Sequence, residues 1–149
     1  MIIIPANSDH LGAWSHLRSA LWPDALPAEH QHDIERTFLH GGPSAAAFVA
    51  VVKGEVVGFA EASLRHDYVN GCKSSPVAFL EGIFVAPTIR RRGIARALCE
   101  AVEEWGRGAG CLEFASDTSP ENEASQQLHL SLGFEETQRV VFYRKRLNG

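Results

Sequence analysis

The 149-residue chain is poor in the residues and patterns that mark metal sites, disulfide frameworks and membrane spans. Its three cysteines, Cys72, Cys99 and Cys111, are too widely spaced for a metal-binding motif, and their odd number fits no closed set of disulfides. We therefore predict no metal, and we expect Cys99 and Cys111 to be buried, unreactive thiols. The longest apolar run, from Ala45 to Val52, is far too short to cross a bilayer, so no membrane partner is expected.

The N-terminal sequence lacks the basic region and cleavage site of a signal peptide, which favours a cytoplasmic location. The net charge of −4 argues against a general nucleic-acid-binding protein. With 45% hydrophobic and 21% charged residues, the composition is that of an ordinary globular protein. The length suffices for a hydrophobic core, and we predict a single domain over residues 1–149.

The most informative stretch runs from residue 77 to residue 106. An apolar run from Val77 to Val85 predicts a strand, and the basic turn from Arg90 to Ala95 follows it. Beyond this turn, apolar residues recur at three- and four-residue steps, which predicts an amphipathic helix. These apolar residues are Ile94, Ala97, Leu98, Ala101, Val102 and Trp105.

The basic turn has the properties of a pyrophosphate-binding loop. It precedes a helix N-terminus, which presents unpaired N–H groups and a partial positive charge. Gly93 allows the backbone to approach a bulky anion, and Arg90, Arg91 and Arg92 supply further donors. The turn is not a Walker loop, because no Gly-Lys-Ser/Thr follows, and it lacks the Gly-x-Gly-x-x-Gly of dinucleotide-binding loops. The alternative is a basic surface turn before an ordinary helix.

The other segments predict a mixed α/β chain with the order β-α-α-β-β-β-α-β-α-β and no repeats. Further strands are predicted at Ile2–Ile4, Ala46–Val52, Val56–Leu64, Cys111–Ala115 and Val140–Tyr143. Further helices are predicted from Ser8 or Asp9 to Leu21, from Pro27 to about His40, and from Glu123 to Leu132. A polar loop from Arg65 to Pro76 contains the aromatic residue Tyr68.

The pattern Arg90-x-x-Gly93-x-Ala95, between a strand and a helix, resembles the loop with which GNAT N-acetyltransferases hold the pyrophosphate of acetyl-coenzyme A (acetyl-CoA). The predicted order of elements is also that of the GNAT family. The resemblance implies a mixed central sheet of about six to seven strands, flanked by about four helices. It also implies a splay and a bulge at the central strand, near Glu81-Gly82-Ile83, and acetyl-CoA as co-substrate.

A second similarity lies in the run Asn122-x-x-Ser125-x-x-x-His129-x-x-x-Gly133-Phe134. It is similar to the family's helix and following strand, in which tyrosine usually occupies the position of His129. Longer phrases, among them 75–83 and 128–137, resemble the aminoglycoside 6′-N-acetyltransferases, a branch in which histidine occupies that position. Members of this branch are dimers, often with a C-terminal strand that reaches the partner.

The resemblance implies three sets of site residues. The catalytic set is Glu81, Asp117 and His129. The residues expected to bind the acceptor are Trp22, Tyr68, Glu81, Asp117 and Glu136. The residues expected to bind acetyl-CoA are Ile83, Phe84, Val85, Arg90, Arg91, Arg92, Gly93, Ile94, Ala95, Arg96, Asn122 and His129.

Several of these side chains have alternative roles. Glu81 lies in an apolar strand, where a carboxylate needs a partner, so it either lines a cleft or pairs with an arginine. Asp117 is either an acidic residue of the site or a turn residue, and Trp22 is either an acceptor contact or a core residue. His129 either protonates the departing thiolate or packs beside acetyl-CoA.

The implied reaction is direct attack of a primary amine on the thioester. The ammonium must first lose a proton, through water to a carboxylate, and the oxyanion needs a backbone N–H donor. The leading hypothesis is acetylation of the 6′-amine of aminoglycoside antibiotics, which gives resistance. The alternatives are transfer to another polyamine, amino sugar or protein amine, and a non-catalytic acyl-CoA-binding domain. The sequence does not distinguish between individual aminoglycosides.

Overall fold

The computed structural model describes residues 1–148, and the chain divides into two compact units. The first unit runs from Met1 to Asp117. Its strands are β1 (Ile2–Pro5), β2 (Ala45–Val52), β3 (Glu55–Arg65), β4 (Val77–Val85) and β5 (Phe114–Ser116). Its helices are α1 (Leu11–Leu21), α2 (Pro27–Ile34), which continues into a π-helical turn over Glu35–Leu39, and α3 (Ile94–Gly108). The predicted mixed α/β class is confirmed.

The strands form one sheet in the order β1-β2-β3-β4-β5. Neighbouring strands from β1 to β4 are antiparallel, whereas β5 is parallel to β4. The β2–β3 hairpin turns at Lys53 and Gly54, and both have positive φ, which matches the right-handed twist of a two-residue hairpin. The sheet is therefore a meander that ends on a parallel crossover through α3.

Helices pack on both faces of this sheet. Successive residues of β3 point to opposite faces, and neighbouring residues therefore contact different helices. Phe59 belongs to a buried cluster with Trp14 and Leu17 of α1 and Ile34 of α2. Gly58 lies against α3, where a Cβ on it would be 3.3 Å from Cδ1 of Leu98. The buried residues of α3 are Ile94, Leu98, Cys99, Val102 and Gly106. Of the apolar residues that predicted this face, Ile94, Leu98 and Val102 are buried, and Ala97, Ala101 and Trp105 are half-buried.

Two predicted boundaries in the first unit are wrong. The first helical segment is capped by Asn7 rather than by Ser8 or Asp9, since the Asn7 side chain accepts a hydrogen bond from the N–H of Asp9. The strand predicted at Cys111–Ala115 is only Phe114–Ser116. Cys111 instead closes the C-terminal cap that follows α3, because its N–H donates to the carbonyl of Gly106 beyond a left-handed Gly110.

The second unit begins at Thr118 and contains α4 (Glu123–Ser131), close to the predicted helix. Beyond Gly133, residues 134–148 contain neither helix nor strand. The predicted strand Val140–Tyr143 is therefore wrong for this chain by itself, and within residues 1–148 the sheet has five strands rather than six or seven. The physical reason is that the segment has no ladder partner, and it leaves Val141, Phe142 and Tyr143 exposed.

No helix within residues 1–148 combines the length and the apolar character needed to span a membrane.

Candidate active site

The basic turn forms an open loop at the start of α3. Gly93 is the N-cap in the left-handed conformation, with φ of 77°, and no side chain caps the helix. The first N–H groups of α3 therefore point into the space before the loop. A Cβ on Gly93 would meet no atom within 4 Å, so this space is wide enough for an anion to approach the backbone. Arg91, Arg92 and Arg96 are exposed around it, and the loop fits a pyrophosphate.

Arg90 joins this loop to the end of β4. Its Nε donates to the carbonyl of Val85 at 2.8 Å, and its guanidinium carbon lies 5.1 Å from the centre of the Phe84 ring. The first arginine of the motif therefore holds the loop against the strand as well as adding positive charge.

Strand β4 has a bulge at Glu81, where the sequence resemblance placed one. Residue Glu61 of β3 is opposite Gly82, and Ala62 is opposite Leu80, so Glu81 is the extra residue. The parallel pairing with β5 ends at the same point, with Leu80 opposite Ser116. Beyond it, β4 continues to Val85 without β5 beside it, and this is the predicted splay.

The alternation of hydrogen bonds shows which backbone groups face the splay. Ala86 donates its N–H to the carbonyl of Val57 on β3. Ile83 and Val85 therefore direct their N–H and carbonyl groups away from β3, toward the open edge. The carbonyl of Val85 accepts the bond from Arg90, which agrees with this orientation. Phe84, between them, directs its backbone to β3.

A cavity of about 360 Å³ lies beside the bulge in the first unit. Both acidic and aromatic side chains line it, together with two arginines. The lining residues are Arg18, Trp22, Asp33, Arg36, Thr37, Phe38, Glu61, Ala62, Ser63 and Glu81.

Glu81 combines the two roles that the sequence left open, because it lines the cavity and also pairs with an arginine. Its Oε1 accepts hydrogen bonds from Ser63 Oγ at 2.7 Å and from Arg65 Nη2 at 2.9 Å. Arg65 itself stacks over the ring of Phe79, with the guanidinium carbon 3.5 Å from the ring centre. The side chain of Glu81 remains 34% exposed, so its carboxylate is accessible from the cavity.

Trp22 likewise packs in the interior and lines the cavity. A Cβ on Gly82 would meet the Trp22 ring, at 2.5 Å from Cζ2, so only glycine leaves room for this ring beside the bulge. The ring also contacts Phe59 edge-on, with 6.2 Å between ring centres. Trp22 is thereby fixed next to the backbone that faces the splay.

Asp117 and Tyr68 lie at the surface of the first unit. Asp117 is exposed and directly follows Ser116, as Glu81 directly follows Leu80 on the neighbouring strand. Both predicted carboxylates thus follow the last pair of the parallel ladder, but Asp117 is not among the residues that line the cavity beside Glu81. Tyr68 is 79% exposed in the loop after β3.

A buried polar network in the wall of the cavity was missed by the sequence analysis. Glu61, which is 2% exposed, accepts hydrogen bonds from Trp14 Nε1 at 2.8 Å and from Arg18 Nη1 at 3.0 Å. Burial raises the pKa of Glu61 to about 7, against the opposing effects of Arg18 and Trp14. The signal in the sequence was a glutamate in an apolar strand, the same signal that drew attention to Glu81.

His30 extends this network to the backbone of Trp22. Arg18 Nε can only donate, so Nδ1 of His30, at 3.3 Å, must accept. His30 is therefore neutral with its proton on Nε2, which donates to the Trp22 carbonyl at 3.0 Å. His30-Gln31-His32 is the one His-x-His spacing in the sequence, and its first member is occupied by these two bonds.

The second unit holds Asn122, His129 and Glu136. The side-chain oxygen of Asn122 caps α4 by accepting from the N–H of Ser125 at 3.0 Å. His129 Nδ1 lies 2.7 Å from the carbonyl of Ser125, which can only accept, so Nδ1 carries a proton. Donation of a proton from Nε2 then requires the imidazolium form. Glu136 forms an exposed ion pair with Arg139 at 2.6 Å.

Comparison with known proteins agrees with the loop and the splayed strand. Residues 11–134 match the sequence model of the Acetyltransferase (GNAT) family, which spans both units. The chain belongs to the GNAT acetyltransferase family. Acyl transfer from acetyl-CoA is the chemistry of enzymes of this family.

Two relatives within this family match almost end to end. The aminoglycoside N(6′)-acetyltransferase type 1 of Salmonella typhimurium is 54% identical over 146 residues, which are 98% of this chain and 99% of the relative. The enzyme of the same name from Serratia marcescens is 50% identical, with 98% and 99% covered.

A similar solved structure is that of AAC(6′)-Iy in complex with the bisubstrate analog CoA-S-monomethyl-acetylneamine. It has a TM-score of 0.90 and 54% identity, and 98% of each chain is covered. The apo structure of the 6′-N-acetyltransferase AAC(6′)-IG from Acinetobacter haemolyticus has a TM-score of 0.92 at 38% identity, with 99% of this chain and 100% of that chain covered.

Proposed function

We propose that this GNAT enzyme transfers the acetyl group of acetyl-CoA to the 6′-amine of aminoglycoside antibiotics and thereby confers resistance. The observation that carries this proposal is the cavity beside the bulge of β4, where Asp33, Glu81 and Trp22 present carboxylates and an aromatic face to an amino sugar. The 54% identity to an aminoglycoside N(6′)-acetyltransferase supports the same acceptor.

The co-substrate side is assigned to the loop from Arg90 to Arg96 and to the edge of β4. In our proposal the N–H groups at the start of α3 bind the pyrophosphate, and Arg91 and Arg92 add charge. The backbone groups of Ile83 and Val85 pair with the pantetheine amides, and a backbone N–H at this edge stabilises the oxyanion.

The acceptor side is assigned to Glu81, Asp117, Trp22, Tyr68 and Glu136. An ammonium is not a nucleophile, so we assign its deprotonation to Glu81 or Asp117 through water. For His129 we propose the role of acid toward the thiolate, in the imidazolium form that its bonded Nδ1 requires. For Asn122 we propose a contact with the pantetheine arm through the amide nitrogen, because its oxygen is engaged as the helix cap.

We further propose a cytoplasmic homodimer with one catalytic domain per chain. The single domain is supported by the family match, which runs through both compact units. The dimer is supported by the exposed apolar residues Val141, Phe142 and Tyr143, which would gain a ladder partner from a second copy.

The function is tested by thiol release from acetyl-CoA with neomycin and paromomycin, which carry an amine and a hydroxyl, respectively, at the 6′ position. Release with neomycin alone is the expected result. Equal release with both would keep acetyl transfer but move it to another amine. No release with either, despite tight binding of acetyl-CoA, would contradict the proposal and favour another acceptor or the non-catalytic alternative.

A further inference from the structure

The wall of the acceptor cavity contains a buried ion pair, Arg18 and Glu61, that the proposed mechanism does not use. Both oxygens of Glu61 lie 3.0 Å from Arg18 Nη1, and Arg18 and Glu61 are only 8% and 2% exposed. Within residues 1–148, every buried side-chain nitrogen or oxygen has a hydrogen-bond partner. A buried pair of this kind leaves a strongly uncompensated charge when one member is lost.

The pair acts on the cavity through Arg18. The guanidinium carbon of Arg18 lies 4.9 Å from the centre of the Trp22 ring, and Nε bonds to His30, which holds the Trp22 carbonyl. Arg18 Nη2 is 3.8 Å from Asp33, whose side chain is 42% exposed. Arg18 thus connects the buried interior to two residues that line the cavity.

Glu61 also lies opposite the part of β4 at which we place the acyl transfer. It is the register partner of Gly82, the residue after the bulge, on which the Trp22 ring packs. The charged and titratable groups that surround it are Arg18 of α1, His30 and Asp33 of α2, and Glu81 of β4, with Arg36 on the same cavity wall.

The sign of the charge at this wall decides how a polycation binds. Without Glu61, Arg18 would present a positive charge that offsets the attraction of Asp33 for an ammonium group. The low polarity of the buried surroundings strengthens this repulsion relative to water. With Glu61 ionised, the pair is neutral, so Arg18 no longer opposes the attraction of Asp33 and Glu81 for an ammonium group, although each of these carboxylates also has an arginine partner, Arg36 and Arg65.

We propose that Glu61 is a positioning residue which, acting through Arg18, neutralises the wall of the cavity and thereby makes the enzyme selective for polycationic acceptors. This inference rests on the proposed function for the nature of the acceptor. It assigns to an interior ion pair a role in acceptor affinity that is separate from the binding of acetyl-CoA.

The test compares Glu61→Gln with the double variant Glu61→Gln/Arg18→Gln in steady-state assays with neomycin and acetyl-CoA. For Glu61→Gln we expect KM for neomycin to rise about tenfold while KM for acetyl-CoA stays within about twofold. In the double variant, KM for neomycin should return to within about threefold of the unmodified protein, because both charges are gone. Glu104→Gln, which removes a carboxylate from a surface pair with Arg107, is the matched control and should change neither KM.

Two results would overturn the inference. One is an equal rise of both KM values in Glu61→Gln, and the other is a double variant that binds neomycin no better than Glu61→Gln. Should Glu61→Gln fail to fold, Glu61→Asp decides the question, because it keeps the charge and shortens the side chain. KM for neomycin within about threefold of the unmodified value in Glu61→Asp supports a charge effect, and a tenfold rise contradicts it.

Activity of the unmodified protein with neomycin tests the proposed function by itself. If another polyamine is the acceptor, the same ratios between variants are measured with that amine, so that failure of the proposed function and failure of this inference give different results.

Discussion

At the scale of single residues, two glutamates in neighbouring strands have opposite environments. Both line the same cavity, but Glu81 is partly exposed and paired with Arg65, whereas Glu61 is buried and bonded to Arg18 and Trp14. The packing of α1 causes the difference, because it places Trp14 and Arg18 on Glu61 but neither of them on Glu81. The exposed glutamate suits an acceptor ammonium, and the buried one has a pKa raised by burial to about 7.

The raised pKa of Glu61 predicts how stability depends on pH. Between the unfolded value of 4.5 and the folded value of about 7, the folded state binds more protons, so the free energy of unfolding falls as pH rises through this window. A shift of this size corresponds to about 3 kcal/mol, lost by pH 8. In Glu61→Gln this loss should be absent, whatever the change in absolute stability.

The measurement is urea unfolding at pH 5 and pH 8 for the unmodified protein, Glu61→Gln and the control Glu104→Gln. Glu104→Gln should retain the loss seen in the unmodified protein. The assignment to Glu61 is wrong if Glu61→Gln loses as much stability between the two pH values as the unmodified protein does.

At the scale of elements, α3 joins two functions in our proposal, since its start forms the loop proposed to bind acetyl-CoA and its later turns cover the sheet. The loop depends on the left-handed Gly93, and the packing depends on Gly106, which lies against Ala78 of β4. Each glycine has a control elsewhere in or beside α3: Gly110 has a similar φ to Gly93, and Gly108 lies in the same helix as Gly106. These pairs allow local backbone effects to be separated from function.

Gly93→Ala should weaken binding of acetyl-CoA, because alanine disfavours the φ of 77° and its methyl group would fill the space where we place the pyrophosphate. We expect KM for acetyl-CoA to rise about tenfold or more, with a stability loss of about 1 kcal/mol. Gly110→Ala is the control, since it has φ of 88° and open space at the other end of α3. It should lose similar stability with unchanged KM, and a loss of affinity in both variants would refute a specific role for Gly93.

Gly106→Ala should destabilise the first unit, because its Cβ would lie 2.8 Å from the Cβ of Ala78. Overpacking of this kind costs about 1–3 kcal/mol. Gly108→Ala in the same helix meets nothing within 4 Å, so it should be neutral or gain up to about 1 kcal/mol from helix propensity. Thermal and urea unfolding of both variants provide the measurement, and equal stabilities would show that α3 is not closely packed at Gly106.

At the scale of the whole molecule, the C-terminal segment is the feature that has no strand partner within residues 1–148. Val141, Phe142 and Tyr143 are 73%, 90% and 90% exposed, although the sequence pattern there is typical of a strand. The unpaired backbone N–H and C=O groups of an apolar segment can form hydrogen bonds with a strand of another chain. This is the basis of the proposed dimer.

Phe142→Asp should therefore convert the protein from a dimer to a monomer in sedimentation velocity experiments, since a charge cannot be buried in the interface without a partner. Leu112→Asp is the control, because Leu112 is 86% exposed in the first unit and should leave the dimer intact. Dissociation by Leu112→Asp alone would place the interface elsewhere, and a monomeric unmodified protein would contradict the dimer.

The local elements of this protein could be predicted from its sequence because their signals are short-range. The apolar run of β4, the glycine-arginine loop and the amphipathic spacing of α3 all lie within thirty consecutive residues and were confirmed together. The resemblance that these residues carry also predicted the bulge at Glu81, which the structure confirms. The family that it indicated is confirmed by the match to the family model.

Tertiary structure decided those side-chain environments and strand pairings that involve residues distant in the chain. Nothing local distinguishes Glu61 from Glu81, and only the packing of α1 against β3 brings Arg18 and Trp14 to Glu61. The packing of α2 then adds His30 as a partner of Arg18. The short β5 and the unpaired Val140–Tyr143 have the same origin. A strand exists only where a second strand supplies its hydrogen bonds, whereas a helix or a tight turn supplies its own.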